Sequence, residues 1–138
     1  MHNNMIRYLA LGDSYTIGEQ VLLTESFPYQ LVQLARQQGL ALAAPEIIAR
    51  TGWTTDELQA AMEDYQFQSP YDFVSLLIGV NNQYRGRTIE EYAHQFRQLL
   101  NQAIALAGGV HQRVVVLSIP DWGVTPFAAD RNREEIAA

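Results

Sequence analysis

Three short segments, each following an apolar run, carry the groups that acyl chemistry needs. Leu11-Gly12-Asp13-Ser14-Tyr15-Thr16-Ile17-Gly18 places a serine at a tight turn. A serine leaving a strand this way presents its hydroxyl to a substrate while its own N–H points in the same direction, serving both attack and charge stabilisation. Gly52 in Thr51-Gly52-Trp53 has no side chain, so its backbone amide can approach a reacting oxygen closely. Asn81 in Gly79-Val80-Asn81 can aim a side-chain amide at the same oxygen. Each has an ordinary alternative: a polar Gly-Asp-Ser turn, a φ-permissive loop glycine, an Asx-type turn. Independent turns, however, have no reason to supply a hydroxyl, a free amide and an amide side chain at successive strand ends. The first segment is not a Gly-x-Ser-x-Gly elbow, and its glycines match neither a P-loop nor the dinucleotide fingerprint.

The elements that must position these groups alternate between apolar runs of strand length and stretches of helical period, which predicts βαβ units and a parallel sheet. A first strand is expected over 5–11, stopped by Gly12. A helix over 27–38 would place Phe27, Leu31, Leu34 and Ala35 on one face, with Gly39 as its stop. A weaker strand follows over 45–50. Thr54-Thr55-Asp56-Glu57 has capping-box spacing and should open a helix to about residue 65. The near-continuous apolar run over 73–78 reads as a central strand covered on both faces.

Thr88 to Glu91 repeats the capping-box spacing. The helix after it should carry Ile89, Tyr92, Phe96, Leu99, Leu100, Ala103, Leu106 and Ala107 in one stripe, ending at Gly108-Gly109. Residues 114–119 read as a fourth buried strand stopped by Pro120, and 130–138 as the opening of another helix. One domain over 1–138 is expected, with no internal repeat or linker. Open sheets of this kind bind ligands at the carboxyl ends of their strands. The turns at Ser14, Gly52 and Asn81, with Pro120-Asp121-Trp122, should therefore gather along one edge.

On these residues the sequence resembles the GDSL/SGNH hydrolase family. The first block matches Gly12-Asp13-Ser14 with Tyr15, Thr16 and Gly18; the second matches Gly52; the third matches Gly79-Val80-Asn81. The resemblance implies a flavodoxin-like, three-layer α/β/α fold with a parallel sheet of about four strands. It also implies hydrolysis of esters, acyl-thioesters, lysophospholipids or acetylated sugars, with a small ester as the substrate partner. Carried over, it makes Ser14 the nucleophile, and the Ser14 and Gly52 amides with the Asn81 side chain an oxyanion hole. Asp13 belongs to the motif turn and is not the triad acid.

Two departures stand out. Asn82 replaces the Asp that commonly follows the motif Asn, which is expected to weaken support of that loop. The family's last block, Asp-x-x-His, has no counterpart before Ala138, so triad His and Asp are absent from this chain. A serine without an adjacent base is a poor nucleophile, and weak or no turnover is expected. His2 lies ahead of the first strand, His94 within the long helix, and His111 at the sheet end opposite Ser14, so none is placed to serve. Asp121 is read as shaping its loop with Trp122 and Gly123. The chain is thus expected to lack the family's last strand and C-terminal helix, leaving the fourth strand as an edge beside an uncovered apolar patch and inviting self-association.

Composition narrows the classes. A net charge of −6 and a pI near 4.9 argue against a nucleic-acid binder. The absence of cysteine excludes disulfides, thiolate metal sites and cysteine nucleophiles. No cofactor is expected. No apolar run approaches the roughly 18 residues of a membrane span, and the short apolar stretch at Tyr8 to Leu11 is too short for a signal-peptide core. A cytoplasmic location is therefore expected unless a leader has been lost. Tyr84-Arg85-Gly86-Arg87 is read as a solvated loop in preference to an anion contact. Trp53, Trp122 and Phe127 are equally compatible with a pocket wall and with packing. The competing reading is a non-catalytic binding or assembly module that keeps the site as an anion or acyl pocket. A nucleotide-binding flavodoxin-like protein would need a phosphate loop that is not there.

Overall fold

The computed structural model describes residues 5–18, 22 and 25–117. Its centre is β1, Tyr8–Gly12, every residue of which is buried. A strand with no polar face must be covered twice, and this one is paired in parallel on both edges. Its partners are β2, Glu46–Ala49, and β3, Phe73–Leu77, and the strand β4, Val114–Val116, completes the order β2-β1-β3-β4. The register sets Gly12 opposite both Ala49 and Leu77, so the first three strands end level with one another.

Alternation along β1 divides the core. Leu9 and Leu11 face the helices α3, Thr55–Asp64, and α5, Ile89–Leu106, where Leu58, Met62, Leu99 and Ala103 are buried with Val74 and Leu76. Tyr8 and Ala10 face α2, Phe27–Gln37, and pack with Val32 and Leu42. The expected three-layer architecture with four parallel strands is the one found.

Local chemistry explains the element boundaries. The Thr54–Glu57 box closes at the start of α3, where the Glu57 carboxylate accepts the Thr54 N–H at 3.0 Å. At the start of α5 the Thr88 hydroxyl accepts the Glu91 N–H at 3.1 Å. Two short helices carry no signal in the sequence pattern: α1, Ser14–Ile17, within the first motif turn, and α4, Val80–Tyr84, within the third.

Three packing expectations are corrected. The fourth strand is not buried: Val115 and Val116 are 39% and 47% exposed, because among the described residues β4 is the outermost strand and only Val114 packs against the core. Leu34 is 59% exposed. It borders an open apolar groove between α2 and β4, lined also by Phe27, Leu31, Phe73, Val115 and Leu117, instead of sealing onto the sheet. Ile89 is 62% exposed; it stands at the first position of α5 and lines a cavity beside Gly79 instead of packing on the sheet. His2, the end of the fourth strand at 118–119, the Pro120-Asp121-Trp122 turn, Phe127 and the helix expected over 130–138 lie outside the described residues.

Candidate active site

The level ends of β1, β2 and β3 bring the three motif turns side by side on adjacent strands, which in a parallel sheet run roughly 4.8 Å apart. Gly12 ends β1 because nothing larger fits. A Cβ there would stand 2.0 Å from Thr16 Oγ1 and 2.6 Å from the Leu77 carbonyl oxygen. The chain then turns at once into α1, capped by the Asp13 carboxylate, whose Oδ1 accepts the Tyr15 N–H at 3.0 Å. This puts Ser14 at the first helical position, half-buried, with Gly18 ending the turn at φ 76°.

Asp13 is almost wholly buried, and its Oδ2 has no hydrogen-bond partner. Burial pushes its carboxyl up to about 6, the bonds to the Tyr15 and Asp13 amides offsetting this only in part. Burial together with the nearby Asp13 charge pushes the Tyr92 phenol up to about 12. The phenol donates to the Ile78 carbonyl oxygen at 3.0 Å, tying α5 to the end of β3.

The second turn is Arg50-Thr51-Gly52-Trp53, closed by Trp53 N–H to the Arg50 carbonyl at 3.3 Å. Gly52 occupies its third position at φ 85°, the sign a type II turn demands there. In the third segment Gly79 adopts φ 136° and starts α4, which carries Asn81 and Asn82 on its first turn. Asn81 Nδ2 donates to the Trp53 carbonyl oxygen at 3.0 Å. A carboxamide has two N–H bonds, and this contact uses one of them.

Asn82 is buried and doubly bonded to Thr55. Its Oδ1 accepts the Thr55 N–H at 3.1 Å and its Nδ2 donates to Thr55 Oγ1 at 2.9 Å. The Thr55 hydroxyl in turn donates to Gln95 Oε1 on α5. The asparagine therefore anchors the loop to α3 instead of weakening it, correcting the expectation for this position.

Residues 84–87 are likewise more than a solvated loop. Arg85 donates through Nη2 to the Gly52 carbonyl at 2.6 Å and through Nη1 to Glu57 at 3.1 Å. Arg87 pairs with Asp56 at 2.5 Å. Sequence reasoning missed the role of these arginines; the available signal was the acidic first turn of α3, Asp56-Glu57, which two nearby cations can answer.

Beside Gly79 lies a cavity of about 230 Å³, lined by Asn82, Arg87, Thr88, Ile89, Tyr92 and Ala93, with mainly apolar walls. Trp53 is half-buried and packs against the main core. His94 is exposed on α5, 3.4 Å from Gln98, and His111 precedes β4 at the amino end of the sheet. Among the described residues no group of three His, Cys, Asp or Glu side chains is placed to hold a metal ion, and no helix is long and apolar enough to cross a membrane.

Comparison with known proteins bears on the family and the fold. The model of the GDSL-like lipase/acylhydrolase family matches residues 10–138. Among solved structures the chain resembles TesA at 16% identity and a TM-score of 0.73, covering 94% of this chain and 68% of that one. It resembles AlinE4, an SGNH-hydrolase family esterase, at 18% identity and a TM-score of 0.70, covering 95% and 74%. The lipase/acylhydrolase from Enterococcus faecalis aligns at 23% identity and a TM-score of 0.65, covering 96% and 66%. At these identities the likeness is one of fold, the SGNH flavodoxin-like α/β architecture. No curated protein matches the chain in sequence.

Proposed function

Because the chain belongs to the GDSL-like lipase/acylhydrolase family, we propose that its site binds small carboxylic esters and stabilises the tetrahedral species formed when Ser14 attacks the acyl carbon. The observation that carries this reading is the level register of Gly12 with Ala49 and Leu77. It gathers a serine, a glycine amide and an asparagine amide at the ends of three neighbouring strands. In this reading the Ser14 Oγ forms the new bond to carbon, its proton passes to a base, and the carbonyl oxygen becomes the oxyanion. The Ser14 and Gly52 N–H groups and the second Asn81 Nδ2–H donate to that oxygen.

The Asp-x-x-His block has no counterpart in these 138 residues, so turnover depends on a base from elsewhere and is weak without one. Intact mass after prolonged exposure to a fluorophosphonate tests the nucleophile: a slowly formed single adduct in wild type and none in Ser14→Ala is expected. Equal labelling of both would remove Ser14 from the role. An unlabelled wild type that still binds a tetrahedral boronate would favour the binding-module reading. The exposed Val115 and Val116 on the edge strand support a further proposal, weak pairing between copies at high concentration. A concentration-independent monomer in light scattering would refute it.

A further inference from the structure

Arg85 touches both turns that carry the proposed oxyanion donors. Its backbone N–H donates to the Asn81 carbonyl oxygen at 2.9 Å, while its guanidinium donates to the Gly52 carbonyl oxygen at 2.6 Å. The Asn81 side chain closes the circuit through the Trp53 carbonyl oxygen at 3.0 Å. Gly52, Trp53, Asn81 and Arg85 thus form a ring of hydrogen bonds across two strands' ends.

The guanidinium is itself held. Its Nη1 meets the Glu57 carboxylate at 3.1 Å, and that carboxylate is fixed by the Thr54 N–H at the start of α3. A forked cation held by a carboxylate that caps a helix has little freedom to wander.

Gly52 needs such an anchor. A glycine is used at φ 85° because it reaches that region without strain, and for the same reason it leaves it easily. Charge stabilisation depends on donors that are already aimed before the charge develops. The Gly52 carbonyl and the Trp53 N–H belong to one peptide unit, which Arg85 and the Arg50 carbonyl hold from its two edges, so the unit about which Gly52 pivots is fixed in place.

We propose that Arg85 is a positioning residue that orders the Gly52 amide for oxyanion stabilisation, acting through the Gly52 carbonyl and not through contact with substrate. The proposal rests on the reading of Gly52 as an oxyanion donor, and its test separates the two. Backbone ¹⁵N order parameters are measured in wild type, Arg85→Ala, Arg85→Lys and Glu57→Gln, together with the rate of Ser14-dependent fluorophosphonate labelling. Labelling is repeated with neutral and carboxylate-bearing phosphonates.

In Arg85→Ala the Gly52 and Trp53 amides should lose order while those of β1 and β3 keep it. Labelling should slow roughly tenfold, short of the ~10²–10³ typical of deleting a donor outright, and equally for both probes. Arg85→Lys, which keeps charge but not the fork, should recover only part of the order. Glu57→Gln, which can still cap α3, should loosen Gly52 less than Arg85→Ala does. Unchanged order at Gly52 in Arg85→Ala overturns the proposal, whatever the labelling does. Slowing confined to the carboxylate-bearing probe also overturns it, by making Arg85 a substrate-anion contact. Equal labelling of wild type and Ser14→Ala would instead defeat the nucleophile reading, while the order parameters still report on the anchor.

Discussion

Asn82 and Thr55, which lie 27 positions apart, hold each other by two buried hydrogen bonds, one through each atom of the Asn82 carboxamide. The pair joins the loop after β3 to the first turn of α3, and the Thr55 hydroxyl passes the connection on to Gln95 of α5. Replacing Asn82 with Leu strands the Thr55 N–H in the interior, and a loss of roughly 1–3 kcal/mol is expected from that group alone. Urea unfolding would measure it. Asn82→Asp has a subtler outcome, because a carboxylate only accepts. The single Thr55 hydroxyl proton would turn to it and abandon Gln95. Gln95→Ala should then cost less when combined with Asn82→Asp than it does in wild type, with a coupling of at least about 0.5 kcal/mol. Additive losses would rule out the shared proton.

The contact at Gly12 is the tightest constraint on the motif. Gly12→Ala sets a methyl 2.6 Å from the backbone carbonyl of Leu77, which cannot yield without moving β3. A loss of about 2 kcal/mol or more is expected, toward the upper end for overpacked sites. Adding Thr16→Ala removes the hydroxyl clash at 2.0 Å but leaves the carbonyl in place. Rescue should therefore be partial. Full recovery of the melting temperature in the double variant would show that β3 accommodates the methyl.

Asp13 makes the fold sensitive to mild acid, in the direction opposite to a salt-bridged carboxylate. With its carboxyl raised from 3.8 to about 6 by burial, the folded chain binds this proton more tightly than the unfolded chain does. The Asp13 contribution therefore falls as pH rises from about 4 to about 6 and is level above that, a total of roughly 2–3 kcal/mol. Asp13→Asn keeps an oxygen for the Tyr15 N–H and removes the titration. Relative to wild type it should gain stability between pH 4 and pH 7 by that order of magnitude. A constant difference across the window would show that Asp13 stays ionised when folded.

Tyr8 and Ser75 share a buried hydrogen bond of 2.7 Å across the pairing of β1 with β3. Burial, partly offset by the Ser75 bond, pushes the phenol up to about 12. Tyr8→Phe leaves the Ser75 hydroxyl unpaired and should cost roughly 1–3 kcal/mol. Ser75→Ala added to Tyr8→Phe should then be nearly neutral. A second full-sized loss in thermal unfolding would mean that Ser75 has found another partner.

What the sequence disclosed was local. Glycines at strand ends, the Thr54–Glu57 box and the apolar run at 73–78 act within a few residues of themselves, and they located β1, α3, β3 and the three motif turns. What it hid depended on which distant segments meet. Nothing near Arg85 announces that its guanidinium reaches Gly52, 33 positions earlier. Nor does helical period tell what stands opposite each side chain, which is why periodicity alone places Ile89 and Leu34 in the core although each borders a cavity or groove. The five residues of α4 are too few to nucleate a helix alone, and their conformation is imposed by the bonds of Asn82 and Arg85.

The placement of β1 between strands that follow it in the chain also bears on synthesis. β1, fully buried in the fold, leaves the ribosome before both strands that flank it, and its second edge is closed only when residues 73–77 arrive. Until then the nascent chain carries an unpaired apolar edge of the kind that recruits other chains. The turns that carry Ser14 and Asn81, 67 residues apart, become neighbours only in the same late step. The segment that defines the site is thus also the one that most needs shielding while the rest of the protein is being made.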